Sequence, residues 1–97
     1  MNKLVFEWEI KKNKTNINKH GVSFEKAQTV FFDDIAIQFW DETHSKTEER
    51  FLMLGMSNKT RILLIVHCYR EDESTIRIIS ARKATNNEKR EYTGDIS

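Results

Sequence analysis

RFLMLGMS (Arg50–Ser57), RILLIVHCYR (Arg61–Arg70) and TIRIISARK (Thr75–Lys83) are three runs dense in aliphatic and β-branched residues, separated only by short polar turns. That pattern predicts three consecutive strands joined as hairpins, and it organises the rest of the chain around an antiparallel sheet. Each run also carries basic or imidazole side chains. The sheet should therefore have an apolar body with cations at chosen points, a surface suited to holding a polyanion.

Moving outward, IAIQFW (Ile35–Trp40) reads as a further strand and Asp41–Glu48 as a polar loop. Upstream, Phe24, Ala27, Val30 and Phe31 recur at helical spacing after Ser23, a good N-cap, and predict a helix from Phe24 to about Phe32 docked on the sheet. Lys26 stands where a capping box would place Glu or Gln. Glu9–His20 reads as a polar helix, with Gly21 where a left-handed cap belongs and with Trp8, Ile10 and Ile17 as a thin apolar stripe. Lys3–Trp8 reads as a short strand, and Thr85 can cap a last helix from Asn86 to about Tyr92. The order β-α-α-β-β-β-β-α describes an α+β fold over residues 1–97, one domain, with an antiparallel sheet and two N-terminal helices on one face. Trp8 and Trp40 are expected in the core.

Composition narrows the function. With 97 residues, 38% hydrophobic and 32% charged, the chain suits a soluble globular domain. No apolar run approaches the ~20 residues of a membrane span, and MNKLVFEWEIKK lacks the apolar core of a secretory signal. A lone cysteine, Cys68, excludes a disulfide framework and points to the cytoplasm. The net charge is +1, yet the signs are segregated: acids dominate residues 33–50, while bases dominate residues 1–26 and 59–83. One face can thus bind anions while another stays acidic.

If the Asn58-Lys59 turn and the Glu71–Glu73 loop are symmetric, Arg50 falls opposite His67, and His67 opposite Arg77. The three would form a row on one face with Cβ atoms ~5 Å apart. Two guanidiniums could clamp a phosphate bidentately and hold the imidazole neutral, ready to accept a proton. Strict alternation puts Arg82 on the opposite face from Arg77, although near the strand end, followed by Lys83. The plainer alternative for each is a solvated strand end, or an ion pair with Glu48, Glu49 or Glu71. Lys19-His20 at a helix C-terminus is ordinary dipole complementarity or a second cationic site. His44 with Asp41 and Glu42 lacks a further ligand at metal spacing, so no metal site or other cofactor is expected. Nor is there a glycine-rich phosphate loop or a nucleophile motif.

Phe6-Glu7-Trp8, Lys12, Asn16, the block KHGVSF (Lys19–Phe24), Ala27 and Val30-Phe31 together resemble the N-terminal pattern of the BrnT family. Asp33, Asp41, His44-Ser45, Glu49-Arg50, Gly55-Met56-Ser57 and His67 continue the resemblance, and IRIISARKA (Ile76–Ala84), Glu88 and Tyr92 complete it. Glu9 replaces the family's usual Asp, and Lys26 a common acid. The resemblance implies a RelE-like fold and a ribonuclease toxin of a type II toxin–antitoxin system. It also implies neutralisation by a ribbon-helix-helix antitoxin, BrnA, through which the complex would bind operator DNA. Carried onto this chain, it implies metal-independent attack of the RNA 2′-hydroxyl on the neighbouring phosphate, halting translation and growth. Arg50, Arg77 and Arg82 would clamp the phosphate, with Arg61 a weaker member, and Lys83, Lys19 and His20 would bind the RNA backbone. His67 would move the proton, with His20 or Glu49 in reserve. The competing readings are a non-catalytic interaction module and a repressor that binds nucleic acid without cutting it.

Overall fold

The computed structural model describes residues 3–43 and 48–94; His44 lies outside them. The elements are β1 (Val5–Glu7), α1 (Ile10–His20), α2 (Phe24–Gln28), β2 (Ile37–Trp40), β3 (Phe51–Met56), β4 (Ile62–Tyr69), β5 (Thr75–Lys83) and α3 (Asn86–Thr93). Their order is the one read from the sequence. The second helix is shorter than expected, because Thr29–Phe32 tightens into a 3-10 turn. The strands form one sheet in the order β1-β5-β4-β3-β2. It is mixed rather than wholly antiparallel, since β1 runs parallel to β5 (Val5 beside Thr75, Glu7 beside Arg77).

One sheet face is covered by the N-terminal half of the chain. Val22, Phe24, Ala27 and Val30 pack with Leu63, Ile65, Ile78 and Ala81 into the larger core. Ser23 caps α2 by accepting from the Lys26 N–H at 3.2 Å, as its position predicts. Gly55 lies beneath this layer. A Cβ there would stand 2.8 Å from Val30 Cγ1 and 2.9 Å from Ala36 Cβ, so only glycine lets the 3-10 turn approach β3 so closely. Helix α1 is held differently from the expectation. Ile10 and Ile17 are exposed, and the anchor is Asn16, 5% exposed. Its side-chain amide donates to the Ala81 and Val22 carbonyls at 2.8 Å and accepts from the Ala81 N–H at 3.1 Å. Because β1 reaches only Arg77, the rest of β5 has no strand neighbour on that side, and Asn16 pairs the backbone there.

The opposite face carries a smaller cluster of Leu54, Leu64 and Ala84 under α3, joined by Tyr92. Thr85 and Glu88 complete a full capping box. Asp33 ties this helix to the other layer, accepting from the Tyr92 hydroxyl at 2.6 Å and the Met56 N–H at 2.8 Å. Burial raises the Asp33 pKa, but those two bonds and one from the Ile35 N–H together pull it below the ordinary value. Trp8 packs on the core as expected. Trp40 does not: it is 47% exposed, on the outer strand of the sheet.

Candidate active site

The position of every candidate follows from strand register. The β3–β4 loop is not a symmetric turn about Asn58-Lys59. Ser57 and Arg61 still pair (Ser57 N–H to Arg61 carbonyl, 2.8 Å), leaving three loop residues that end on Thr60 in the left-handed region at φ 60°. Consequently Phe51, not Arg50, stands opposite His67, and Met56 stands opposite Ile62. The β4–β5 loop is likewise displaced by one: Arg70 N–H bonds the Thr75 carbonyl at 2.9 Å, and Cys68 rather than His67 pairs with Arg77.

These two displacements have a specific outcome. The predicted row of Arg50, His67 and Arg77 does not form. Both slips run in the same direction, so Arg50 and Arg77 still flank one β4 residue, and that residue is Cys68. The thiol feels Arg77, Arg70 and Arg50 as well as Glu48; burial and Glu48 push its pKa up against the three arginines. Glu7, Glu48, Glu49, Glu71 and Asp72 line a groove at this end of the sheet together with Cys68 and Arg70, so the groove itself is mostly acidic and Arg50 and Arg77 stand outside its lining.

His67 points the other way, into the core. It is fully buried, with its ring 4.8 Å from that of Phe31 and 5.4 Å from that of Tyr69. Nε2 lies 3.0 Å from Gln38 Oε1 and Nδ1 3.2 Å from the Ile65 carbonyl. Burial drives its pKa down to about 4. The imidazole is neutral, as the sequence reading held, but desolvation is the cause and the guanidiniums are not beside it.

Arg82 lies on the same face as Arg77, not on the opposite one. A bulge between Val66 and His67 leaves Ile79 without an opposite number, so strand parity reverses between residues 77 and 82. Arg77 pairs with Cys68 and Arg82 with Leu64, and both project from the α3 side of the sheet together with Arg50. Arg82 grips Glu88 through two bonds of 2.8 and 2.9 Å, which raises its pKa and lowers that of Glu88. Lys19 and His20 line a groove with Lys11, Lys12 and Ser80 beside the free stretch of β5. Arg61 and Lys83 line one groove at the far end of the sheet, with Lys89. Leu63, the partner of Lys83, is five residues from Cys68, so they stand about 17 Å away along the strand.

Each arginine at the near end holds a carboxylate: Arg50 with Glu48 at 3.3 Å, Arg77 with Glu9 at 3.3 Å, Arg70 with Glu7 at 3.4 Å. Glu9 also reaches Lys12 at 3.8 Å, which links Arg77 to the lysine groove. Exposed pairs of this kind contribute ~0–1 kcal/mol each, so a phosphate can exchange for a carboxylate at small cost. The sequence reading missed Cys68 as the middle of the row and Glu9, Glu7 and Arg70 as its supports. Glu9 is the recoverable one, since its helix start lies at the same end of the parallel strand pair as Arg77.

No helix among the described residues is long and apolar enough to cross a membrane. No curated protein gives a significant match. Among solved structures, the fold is similar to the crystal structure of the Brucella abortus ribonuclease toxin BrnT. That match has 23% identity and a TM-score of 0.63, covering 89% of this chain and 100% of the other. The family model for the ribonuclease toxin BrnT of type II toxin–antitoxin systems matches residues 8–88. The chain therefore belongs to the BrnT family of ribonuclease toxins.

Proposed function

We propose that this chain cleaves RNA without a metal, and that Arg50 and Arg77 grip the scissile phosphate on either side of Cys68. The supporting observation is the shared strand register that brings both guanidiniums to one open sheet end, each on an exchangeable carboxylate. The RNA 2′-oxygen attacks phosphorus as its proton passes to a base, the P–O5′ bond breaks, and the leaving 5′-oxygen takes a proton from water, giving a 2′,3′-cyclic phosphate and a 5′-hydroxyl. The guanidiniums offset the charge that develops on the phosphoryl oxygens. The proton-transfer role read for His67 passes to Glu49, beside Cys68 in the groove, because a buried imidazole has no path to the ribose. Lys19 and His20 carry flanking phosphates, Arg82 stands at the margin, and Arg61 with Lys83 contacts only a longer RNA.

In the cell this activity would stop translation and growth in the cytoplasm. A BrnA-like ribbon-helix-helix antitoxin would block it and carry the complex to operator DNA. The direct test is incubation of the purified chain with RNA in EDTA. New 5′-hydroxyl and cyclic-phosphate ends are expected; intact RNA at all enzyme concentrations would favour the interaction-module reading instead.

A further inference from the structure

The outer side of β2 (Ile37–Trp40) is an unpaired edge of the sheet, with no strand beyond it among the described residues. An open edge offers a row of backbone donors and acceptors to any extended chain. This one is flanked by apolar surface. Trp40 stacks edge-on with Phe51 at 5.3 Å, and Phe51 with Tyr69 at 5.4 Å, giving an aromatic strip across three strands. Ile35, leading into β2, is 62% exposed.

Charge decides what fits there. Glu49 and Glu73 line the groove over Phe51 and Tyr69. Asp34 and Glu42 are exposed on either side of β2, and residues 33–43 contain no lysine or arginine. With no lysine or arginine along β2, this edge offers a phosphate backbone no cation to hold it. Two copies of the chain meeting edge to edge would oppose acid to acid. A strand alternating aliphatic and basic residues suits all three features: its backbone completes the edge, its aliphatic side chains cover the aromatic strip, and its cations meet the carboxylates or stack on Trp40.

We propose that this edge is the seat of a basic, extended segment of the protein partner, added to the sheet as a sixth strand beside β2. The proposal rests on the toxin–antitoxin reading for the existence of a partner, and it names where that partner docks. From there a bound segment lies one strand from the loop carrying Glu48, Glu49 and Arg50, so it can cover the proposed site without entering it.

The test uses the whole chain, without RNA, and a synthetic peptide alternating valine and arginine; a second peptide carries glutamate for arginine. The arginine peptide should perturb tryptophan fluorescence and slow amide exchange at Ile37–Trp40, and the glutamate peptide should do neither. Trp40→Ser, at a half-exposed position, and Glu73→Lys should each weaken binding about tenfold, as loss of a contact worth ~1.4 kcal/mol would. Equal binding of both peptides, protection elsewhere than β2, or affinity unchanged by both substitutions would overturn the proposal. So would a chain that self-associates alone, with Trp40→Ser abolishing the association, since the occupant would then be a second copy. RNA cleavage in EDTA is read separately, so failure of the docking proposal and failure of the ribonuclease reading are distinguishable.

Discussion

His67 and Cys68 are neighbours on one strand, and a single residue of register exchanges their environments. The imidazole is set among Phe31, Phe51 and Tyr69, while the thiol lies among charges. Burial lowers the folded-state pKa of His67 to about 4, from 6.5 in the unfolded chain. Below pH 6.5 the unfolded state therefore takes up a proton that the folded state refuses. The stabilisation is complete above 6.5, falls as the pH drops toward 4, and levels off below that, for a total of about 3 kcal/mol. Urea unfolding of wild type and His67→Gln at pH 4.5 and 7 checks this: the wild type should lose more stability on acidification than the variant. Equal losses would remove His67 as the titrating group. Nothing in RILLIVHCYR distinguishes the buried position from the charged one, because its apolar residues do not alternate. The residue types of the candidate site were legible, and the β4 residue between Arg50 and Arg77 was not.

At the scale of elements, three helices and five strands were legible, because periodicity, caps and β-branched runs agree with one another. The register was not, and Thr60 shows why. A three-residue hairpin loop ending in the left-handed region is ordinarily signalled by glycine, and here a β-branched threonine holds φ 60°. Thr60→Gly should relieve that strain and raise stability by ~1 kcal/mol, seen as a higher urea midpoint with unchanged slope. A lower midpoint would show that the Thr60 side chain contributes more than its backbone costs. The bulge at Ile79 is equally silent in TIRIISARK, yet it brings Arg82 to the face of Arg77. Arg82 there also clamps α3 through Glu88, itself bonded to the Thr85 N–H at 2.8 Å. Arg82→Ala should therefore cost stability, ~0.5–1 kcal/mol for a partly exposed pair, and speed amide exchange in α3. Exchange in α3 unaffected by the substitution would return Arg82 to a purely substrate-facing role.

At the scale of the molecule, charge follows topology among the described residues. Lysines run along α1 beside β5, the near-end arginines are each matched by a carboxylate, and the β2 edge joins exposed Asp34 and Glu42 to an exposed Trp40. Segregated signs were visible in the sequence; which surfaces they reach depended on topology, above all on a short β1 that leaves β5 open to α1. In the proposed reaction Arg50 and Arg77 act together across Cys68, while Arg61 and Lys83 are too distant to share the phosphate. The most direct measurement is the RNA cleavage rate, in EDTA, of Arg77→Ala, of Arg50→Ala and of an Arg61→Ala/Lys83→Ala control, with folding verified by urea midpoint. Either near-end substitution should slow cleavage by roughly 10²–10³, while the control stays within a few-fold of wild type on a short substrate. Wild-type rates from both near-end variants, or equal losses in all three proteins, would contradict the account.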